Sequence, residues 1–440
     1  MSVLERVREQ ERMGEGLPGT SGEAGELRGR LKGDLVDRLG LSAISSMVSG
    51  GDPARARAEL EVACQAILNT RGYEGLGDEE RAEVVRQVID EVVGLGPLQP
   101  LLDDDTVTEV MVNGCEHLFY ERAGEIHAAE RVFESADQIL MVIDRILAPL
   151  GRRLDRSSPI VNARLANGDR VNAVAQPIAI DGPVVTIRKF SNRISTLDQL
   201  VERGSLPSWY AQLLRWAVLL RSDIAVAGGT GSGKTTLLNA LSCEIGTAER
   251  IVTIEDSAEL RFDTHPDVVR LEARDASIEG SGEVTIRDLV KNALRMRPDR
   301  IVVGECRGGE AIDVLQAMST GHDGSLTTLH AGTAEEAVLR IVLMSRFGMD
   351  LPTDIIEEQV ASALDLIVMS CRMADGARFI TSMSAVSRAE DGGVRLDECV
   401  AFDRSRRTWH LVSEPPCVAR AVADGTLDRE EVEAWRRSAS

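Results

Sequence analysis

The chain has 440 residues and a net charge of −21, from 50 basic and 71 acidic side chains, with 43% apolar and 3% aromatic residues. This length predicts two or three domains, and the acidic balance excludes strong non-specific nucleic-acid binding, because phosphate neutralisation needs basic side chains. No apolar run reaches the roughly 18 residues of a membrane-spanning helix, and the N-terminus lacks the apolar segment of a secretory signal. The seven cysteines stand singly without a C-x-x-C pair, so we expect a cytoplasmic protein without zinc.

The first half of the chain is predicted to contain three successive segments. Residues 1–52 are polar and rich in glycine, which predicts a mobile leader. Residues 53–92 carry apolar side chains at helical spacing and predict an extension of two or three amphipathic helices. Residues 93–190 contain short alternating runs, such as 106–112, around turn signals and one helical pattern at 137–150. That combination predicts a compact α+β domain.

The second half is predicted to begin with a linker at 191–205 and to continue as one α/β domain over 206–440. The predicted strands are 223–227, 250–255, 268–273, 300–304, 325–329 and 365–370, and the predicted helices are 207–221, 234–245, 285–296, 309–319, 333–346 and 352–364. Strands that alternate with helices predict a mainly parallel sheet with helices on both faces. Three further strand patterns and a last pair of short helices predict a terminal β-meander followed by helices.

A glycine-rich segment at 228–235 carries the strongest chemical signal. Its sequence, GGTGSGKT, fits the phosphate-binding pattern G-x-x-x-x-G-K-[ST] and lies between a predicted strand and a predicted helix, which a chance glycine-rich turn would not require. In this setting backbone N–H groups and the helix dipole surround the phosphates, Lys234 reaches the β- and γ-phosphates, and the Thr235 hydroxyl binds Mg²⁺. We predict that ATP is held by Gly228, Gly229, Thr230, Gly231, Ser232, Gly233, Lys234, Thr235 and Thr236.

Carboxylates follow two of the predicted strands. The segment IEDSAEL at 254–260 lies at a strand end, and in an open parallel sheet the carboxyl ends of the strands face the ligand crevice. Glu255, Asp256 and Glu259 are therefore candidates to support Mg²⁺ or its waters, with Glu255 as a metal ligand. The alternative is a solvated acidic turn, since acidic residues commonly end strands.

The segment RIVVGECRG at 300–308 carries the second carboxylate. In nucleotide motors, a carboxylate after such a strand supports Mg²⁺ or orients the attacking water. We assign Glu305 both roles, as the water-polarising base and as a metal-site carboxylate. Gly304 stands where many such motors carry an aspartate. A surface glutamate at a strand end is the alternative.

Two histidines flank the strand-like run in TGHDGSLTTLHA at 320–331. A metal site is a poor fit, because no cysteine or third ligand has suitable spacing. An imidazole near the γ-phosphate could sense its presence, so His330 is a candidate catalytic residue and His322 a candidate nucleotide contact. The alternative for both is a packed or hydrogen-bonded structural histidine.

Together these four segments resemble the type II/IV secretion system ATPase family, the motors of secretion systems and type IV pili. GGTGSGKTT is similar to its phosphate loop, IEDSAEL to its aspartate box, IVVGECRGGEAID to its atypical Walker B segment and TGHDGSLTTLHA to its histidine box. The upstream segments GLGPLQPLLDDDTVTEVMVNG and NARLANGDRVNAVAQPIAIDGPVVTIRKF resemble the N-terminal domain of the tight-adherence (Flp) pilus branch. The resemblance covers roughly residues 85–375 and is more specific for the family than for the branch.

This resemblance implies a RecA-like motor domain, a PAS-like N-terminal domain and a hexameric ring. It also implies that arginines of the N-terminal domain complete the nucleotide site, and the matching positions are Arg170 and Arg188. Without the family, both would be ordinary arginines on a strand face. The chain lacks the cysteine-rich zinc-binding insertion of type II secretion ATPases and has a long extension before Pro53. Both features favour the pilus branch.

The function expected from these features is an ATP-hydrolysing motor that powers pilus assembly or secretion at the cytoplasmic face of the inner membrane. Its expected partners are further copies of itself and a polytopic platform protein, with residues 1–92 as the candidate docking surface and no nucleic acid. A conjugation-type or DNA-handling motor is the first alternative. A non-hydrolysing nucleotide-binding scaffold is the second, and a small-molecule kinase, for which no acceptor motif is present, is the weakest.

Overall fold

The computed structural model of the chain describes residues 23–49, 53–70, 73, 76–129, 132–165, 167–189, 196–262, 265–274, 281–390 and 392–439. The chain divides into two compact units, Met1–Phe190 and Ser191–Ser440, and each is described by itself. Within these described ranges, no helix combines the length and the apolar character that crossing a membrane requires.

The first unit begins with four helices, which are α1 (Glu23–Leu39), α2 (Leu41–Ser49), α3 (Pro53–Leu68) and α4 (Asp78–Val92). The last two confirm the helices expected within 53–92. Three of the four share one apolar core, in which Leu35, Leu60 and Val88 are fully buried. The Tyr73 hydroxyl donates a hydrogen bond of 2.6 Å to Asp34 Oδ2, which ties the segment before α4 to α1.

Helices α1 and α2 lie within residues 1–52, for which a mobile leader was expected. Leu27, Leu31 and Leu35 recur every four residues, so that they form one apolar stripe along α1, and this stripe packs into the helical core. The glycine-rich composition around it obscured that spacing. Residues 23–49 of the predicted leader thus form helices, and its remaining parts, 1–22 and 50–52, lie outside the described residues; the mobility of the leader stays a prediction.

The rest of the first unit is an antiparallel sheet packed against helices, as the α+β prediction required. Its elements are α5 (Gln99–Asp103), β1 (Val107–Asn113), β2 (His117–Arg122), β3 (Glu125–Ala128), α6 (Ala136–Leu147), β4 (Ile160–Arg164), β5 (Arg170–Val174) and β6 (Val184–Arg188). The strand order is β3-β2-β1-β6-β5-β4. Arg145 of α6 donates to the carbonyl oxygens of Glu91 at 2.8 Å and Gly94 at 2.6 Å. These bonds join the end of α4 to the sheet's own helix.

The second unit begins with a helix where a linker was predicted. Helix α7 (Leu197–Glu202) is capped by Thr196, whose hydroxyl accepts from Gln199 N while the Gln199 side chain accepts from Thr196 N. Leu197 and Leu200 are buried in the unit's core. The linker prediction is wrong from residue 196 onward, because the T-x-x-Q spacing is a capping box that starts a helix. Residues 191–195 lie outside the described residues.

One nine-stranded sheet organises the second unit. Its strands are β7 (Ile224–Gly228), β8 (Ile251–Glu255), β9 (Val268–Glu272), β10 (Arg300–Val303), β11 (Leu326–His330), β12 (Leu366–Arg372), β13 (Arg378–Arg388), β14 (Val394–Asp403) and β15 (Thr408–Leu411). The order is β15-β14-β13-β12-β7-β11-β10-β8-β9. The six strands from β12 to β9 in this order pair in parallel, and β12 to β15 form the antiparallel meander. The mixed α/β fold with a mainly parallel sheet is therefore confirmed.

Helices cover both faces of this sheet. They are α8 (Ser208–Leu219), α9 (Lys234–Ser242), α10 (Ile286–Ala293), α11 (Ala311–Met318), α12 (Ala334–Gly348), α13 (Thr353–Ala363), α14 (Pro416–Asp424) and α15 (Arg429–Ser438). Alternate residues of β7 enter two separate cores: Ile224 and Val226 pack with α8 and α9, whereas Ala225 and Ala227 pack with α11 and α12. Such two-sided burial explains why the central strands are continuous apolar runs.

Buried ionic groups line the amino-terminal edge of the central strands. Arg300 is fully buried, and its guanidinium donates to Glu249 and to the carbonyl oxygens of Val218 and Gly324. Asp223 Oδ1 accepts from Ser325 N at 2.8 Å. Burial raises the pKa of Asp223 from 3.8 to about 8. This edge therefore favours the protonated form of Asp223 in the folded state.

Asp223→Asn tests that assignment, because the amide keeps the acceptor oxygen but removes the titrating group. The pKa is higher in the folded state, so the folded protein binds more protons than the unfolded chain between pH 4 and 8, and stability falls as pH rises through this window. We expect the variant to melt about 3 °C or more above the wild type at pH 8.5, with the difference shrinking toward pH 5. The exposed Asp137→Asn is the control. A variant less stable than wild type at pH 8.5 would contradict the assignment.

Candidate functional site

The carboxyl ends of the central strands meet at one edge of the second unit's sheet. In the parallel register Gly228 at the end of β7 lies opposite His330 of β11 on one side and Ser370 of β12 on the other. Val303 of β10 lies opposite Ile254 of β8, so that Glu305 and Glu255 follow at the same edge. Chain segments that are distant in sequence thereby reach one place.

The glycine-rich loop joins β7 to α9 at this edge. Gly231 and Gly233 have φ angles of +69° and +97°, which only glycine adopts without strain. Gly228 is required for a different reason: a Cβ there would lie 2.4 Å from the Ser370 carbonyl oxygen and 2.5 Å from Ser232 Oγ. The structure therefore explains the glycines of the predicted loop in two ways: Gly231 and Gly233 adopt positive φ angles, and there is no room for a side chain at Gly228.

Two donors within the loop converge on one oxygen. Lys234 Nζ donates to the Gly229 carbonyl at 3.0 Å, and the Ser232 N–H points to the same oxygen at 3.4 Å. Lys234 is buried at the start of α9, where the first N–H groups of the helix point outward and the dipole is positive. Thr235 and Thr236 follow on the first turn. The loop is thus built to surround acceptor oxygens, and phosphate oxygens are acceptors of this kind.

His330 connects the loop lysine to Glu305. Its Nδ1 lies 3.4 Å from Lys234 Nζ, and its Nε2 lies 2.9 Å from Glu305 Oε1. The pKa of His330 is lowered, first by burial and then by the positive charge of Lys234, although Glu305 opposes the shift. Glu305 Oε1 has no hydrogen-bond partner among the described residues, so the histidine and the carboxylate are in close contact without a formed hydrogen bond, while a neutral imidazole can offer Nδ1 as an acceptor toward the lysine.

Arg307 joins the two acidic segments. Its guanidinium lies 2.5 Å from Glu305 Oε2 and 3.0 Å from Asp256 Oδ2. Lys234, His330, Glu305, Arg307 and Asp256 therefore form one continuous chain of polar contacts across three strand ends. Opposite charges alternate along most of it, which limits the cost of collecting them at one edge.

Glu255 lies deeper than the other carboxylates. Its Oε2 accepts from the N–H groups of Glu259 at 2.7 Å and Leu260 at 3.0 Å. Its Oε1 is buried and has no hydrogen-bond partner within the part of the chain that the structure describes. Burial raises the pKa of Glu255 to about 7, against the effect of those two N–H donors. A buried acceptor of this kind fits a cation or an ordered water.

The side chain of Glu255 leaves no room for a side chain at Gly304. A Cβ at position 304 would lie 2.9 Å from Glu255 Cγ. An aspartate, which many nucleotide motors carry at this position, would therefore collide with Glu255. The carboxylate contributed by β8 takes the space that a side chain on the segment after β10 would fill.

A double-mutant cycle tests this exchange of space. Gly304→Ala should destabilise the second unit by about 1–3 kcal/mol through overpacking. When Glu255→Ala removes the clashing side chain, the added cost of Gly304→Ala should fall by at least about 1 kcal/mol. Denaturant unfolding followed by tryptophan fluorescence reports on this unit, because all four tryptophans lie in it. Gly246→Ala, whose Cβ would meet nothing closer than 3.5 Å, is the control, and additive costs would contradict the steric account.

The oxygen groups at this edge fit Mg²⁺ only in combination with a ligand. Among the described residues, no cluster of three or more His, Cys, Asp or Glu side chains is arranged to hold a metal ion. Mg²⁺ usually keeps several waters and takes one or two protein oxygens together with substrate phosphates. The Thr235 hydroxyl, the unpartnered Glu255 Oε1 and Glu305 are hard oxygen donors of that type. These residues therefore fit a phosphate-dependent Mg²⁺ site.

Of the two histidines, only His330 belongs to this cluster. His322 precedes β11, and its Nδ1 lies 3.3 Å from the Ala317 carbonyl oxygen. The strand from Leu326 to His330 separates the two histidines by roughly 13 Å. The expectation that both serve one nucleotide is corrected for His322, because a five-residue strand carries the chain from one edge of the sheet to the other.

The predicted arginines lie in the first unit. Arg170 and Arg188 are direct partners across β5 and β6, and Arg164 of β4 is the partner of Arg170. Directly paired residues of antiparallel strands project from the same face, so the three arginines form one row. Arg164 was not among the arginines predicted from the sequence, and its pairing with Arg170 places it beside them.

Four residues near the loop were also missed. Arg307 lies in the segment at 300–308, for which the sequence predicted a role only for Glu305. Ser370, Arg372 and Arg378 lie on β12 and β13. Ser370 Oγ is 2.8 Å from Ser232 Oγ, and Arg378 Nε donates to the Gly231 carbonyl oxygen at 2.9 Å. No local signal marks Ser370, Arg372 or Arg378, because only the pairing of β12 with β7 brings their hairpin to the loop.

The glycine loop is of the phosphate-binding type and lies between a parallel strand and a helix, beside a carboxylate and a histidine. This arrangement is typical of the phosphate-loop class of nucleotide-binding proteins. The family profile described as "Type II/IV secretion system protein" matches residues 91–410. The chain is 36% identical over 321 residues to the putative conjugal transfer protein Rv3659c of Mycobacterium tuberculosis, which covers 72% of this chain and 91% of that protein. It is 36% identical over 282 residues to the conjugal transfer protein TrbB of Rhizobium radiobacter, which covers 63% and 83%.

Among solved structures, the VirB11 ATPase of the Brucella suis type IV secretion system in complex with sulphate aligns at 34% identity and a TM-score of 0.36, over 66% of this chain and 92% of that one. The chain belongs to the type II/IV secretion system protein family. This confirms the family predicted from the four motifs. The tight-adherence branch is a narrower assignment and stays a prediction.

Proposed function

We propose that the chain is an ATP-hydrolysing motor of a pilus or secretion system. The observation that carries the proposal is the contact chain from the phosphate loop to a carboxylate: Lys234 to His330 at 3.4 Å, and His330 to Glu305 at 2.9 Å. A loop built for phosphates, joined through one imidazole to a candidate general base, suits attack of water on a terminal phosphate.

The residues divide the chemistry among them. The loop amides and Lys234 bind and orient the phosphates, and Glu305 orients the attacking water and takes its proton. His330 holds the Glu305 carboxylate from one side and lies beside Lys234 on the other, so that it can sense the charge of a bound phosphate. Arg307 holds the second oxygen of Glu305, which fixes the plane of the carboxylate.

A metal ion would share the charge of the phosphates. Mg²⁺, when bound, supplies Lewis-acid neutralisation of the phosphate oxygens. The Thr235 hydroxyl, Glu255 and Glu305 are the residues that would hold it or its waters, with Asp256 and Glu259 at the rim. His322 is left out of this site. The row of Arg164, Arg170 and Arg188 is proposed to supply charge to the nucleotide within an assembled ring.

Two substitutions separate binding from chemistry. Lys234→Ala should abolish nucleotide binding and hydrolysis, because the phosphate cation is lost. Glu305→Gln should keep ATP binding but lower kcat at least about 100-fold, as measured by phosphate release at saturating ATP. Glu431→Gln on the exposed start of α15 is the matched control and should behave as wild type. Near-normal turnover by Glu305→Gln would remove Glu305 from the role of base.

We also propose that the active form is a hexameric ring, and two exposed surfaces support contact between copies. Helix α12 exposes Leu339, Leu343 and Phe347 at intervals of four residues, the last 79% exposed, and this stripe is flanked in sequence by acidic residues such as Glu335 and Asp350. In the first unit an open groove of about 520 Å³ is lined by Arg156, Gln176, Pro177, Ala179 and Ile180.

Both surfaces are apolar, and the charges beside the α12 stripe are mixed, because Arg340 and Arg346 lie next to its members. Ile178 and Ile180 are exposed by 52% and 85%, and the basic residues Arg152, Arg153 and Arg156 lie in the same region of the chain. An exposed apolar stripe on one unit suits an apolar groove on the other unit of a second copy. A contact between two different patches is head-to-tail, and such contacts form a ring when the rotation between copies closes.

The ring proposal predicts that hydrolysis per chain rises with protein concentration. Phe347→Glu and Ile180→Glu should each shift the mass measured by light scattering toward the monomer and lower turnover at least about tenfold, while nucleotide binding is retained. Val412→Glu, at an apolar site that is 57% exposed just after β15, is the control. A wild-type monomer that hydrolyses ATP at the full rate would overturn the proposal.

The particular system is proposed to be tight-adherence pilus assembly, with the chain peripheral to the cytoplasmic face of the inner membrane through a polytopic platform protein. Helices α1–α4, which largely precede the family match at 91–410, support an added docking element. The names of the conjugal transfer relatives favour the second candidate, a conjugation-type motor. DNA-stimulated hydrolysis would select that candidate, whereas binding to platform-containing membranes that is lost on removal of residues 1–92 would select the first.

A further inference from the structure

Two arginines of the β12–β13 hairpin lie against the apex of the phosphate loop. Arg372 ends β12, Arg378 begins β13, and the two are direct partners across the hairpin. Arg378 Nε donates to the Gly231 carbonyl oxygen at 2.9 Å. Arg372 Nη1 lies only 3.4 Å from where a Cβ on Gly231 would stand, so the absence of a side chain at the apex lets the guanidinium approach the backbone.

The bond from Arg378 fixes the direction of a loop amide. A peptide group is planar and trans, so the carbonyl of Gly231 and the N–H of Ser232 point in opposite directions. A charge-assisted bond to the carbonyl is stronger than a neutral one, and it holds the oxygen on the outer side of the loop. The Ser232 N–H is thereby directed into the loop, where it points to the Gly229 carbonyl oxygen at 3.4 Å.

The hairpin that carries these arginines is braced from behind. Asp375 in its turn forms an ion pair with Arg407 and accepts from Ala377 N at 3.1 Å. Phe379, which follows Arg378, packs against Phe402 and Trp409 with ring centroids 5.3 Å and 5.9 Å away. Because its neighbours hold the hairpin in place, the two guanidinium groups are presented without a large ordering cost.

We propose that this hairpin supplies the nucleotide site with two cations of its own: Arg378 is a positioning residue that holds the phosphate-loop apex, and Arg372 is a ligand of a phosphate group of a bound nucleoside triphosphate. The proposal rests on the proposed function of the loop. Both arginines belong to the same unit as the loop. They therefore act within one chain, unlike the charge expected from Arg170 and Arg188 in a ring.

Equilibrium binding of a fluorescent ADP or ATP analogue to the full chain tests both roles. Arg372→Gln should weaken binding at least about tenfold, the effect expected for loss of one charge-assisted contact, whereas Arg372→Lys should bind within about threefold of wild type because it keeps the charge. Arg378→Gln should weaken binding and also speed hydrogen exchange of the amides at 230–233, and Arg378→Lys should restore part of both. Arg388→Gln, at the far end of β13 in an ion pair with Glu358, is the matched control.

The outcomes separate this inference from the function beneath it. If the wild-type chain binds nucleotide and both Gln variants bind it as tightly as the wild type does, the hairpin proposal is overturned and the motor proposal stands. A wild-type chain that binds no more nucleotide than Lys234→Ala overturns the motor proposal itself. If Arg378→Gln melts far below the wild type, the test is made with Arg378→Lys and with the two substitutions of Arg372, to Gln and to Lys. Weaker binding in Arg378→Gln without a change in loop exchange overturns the positioning role.

Discussion

The parallel pairing of β7 with β11 and β12 is the constraint on which the candidate site depends. β7 delivers the glycine loop, and its two neighbours deliver His330 and Ser370 to positions directly opposite Gly228. Because carboxyl ends of parallel strands share one edge, each further strand can add one group without disturbing the others. β10 and β8 add Glu305 and Glu255 in this way. A shift of one residue in this register would turn those side chains to the wrong face.

Glycines at this edge reserve space for groups from other strands. Gly228 leaves room for the carbonyl and hydroxyl oxygens of Ser370, and Gly304 leaves room for the Glu255 side chain. A motif that looks like a flexible loop is therefore also a steric fit between strands far apart in sequence. The same fit accounts for the missing aspartate after β10, because a buried carboxylate from β8 occupies that place.

The two edges of the sheet handle charge in different ways. At the amino-terminal edge Arg300 is fully buried and satisfied by Glu249 and two carbonyl oxygens, which suits a fixed structural role. At the carboxyl edge Lys234, His330 and Glu305 are in contact but remain close to the surface. Two buried oxygens there, Glu255 Oε1 and Glu305 Oε1, have no hydrogen-bond partner among the described residues. Groups that bind and release a ligand need this less complete satisfaction.

Local sequence patterns were sufficient for the order of helices and strands in the second unit and for the positions of the glycine loop and of Glu305 at strand ends, because periodicity, glycine spacing and strand-end carboxylates act over a few residues. They were not sufficient for α1 and α2, which lie among polar and glycine-rich residues, whereas α7 carries a local signal in the capping box at Thr196. The bond between Arg378 and Gly231 joins residues 147 positions apart, and the contact between Ser370 and Ser232 joins residues 138 positions apart. Only the folded sheet could bring those pairs together and separate His322 from His330, because strand pairing, and not distance along the chain, decides which residues share an edge.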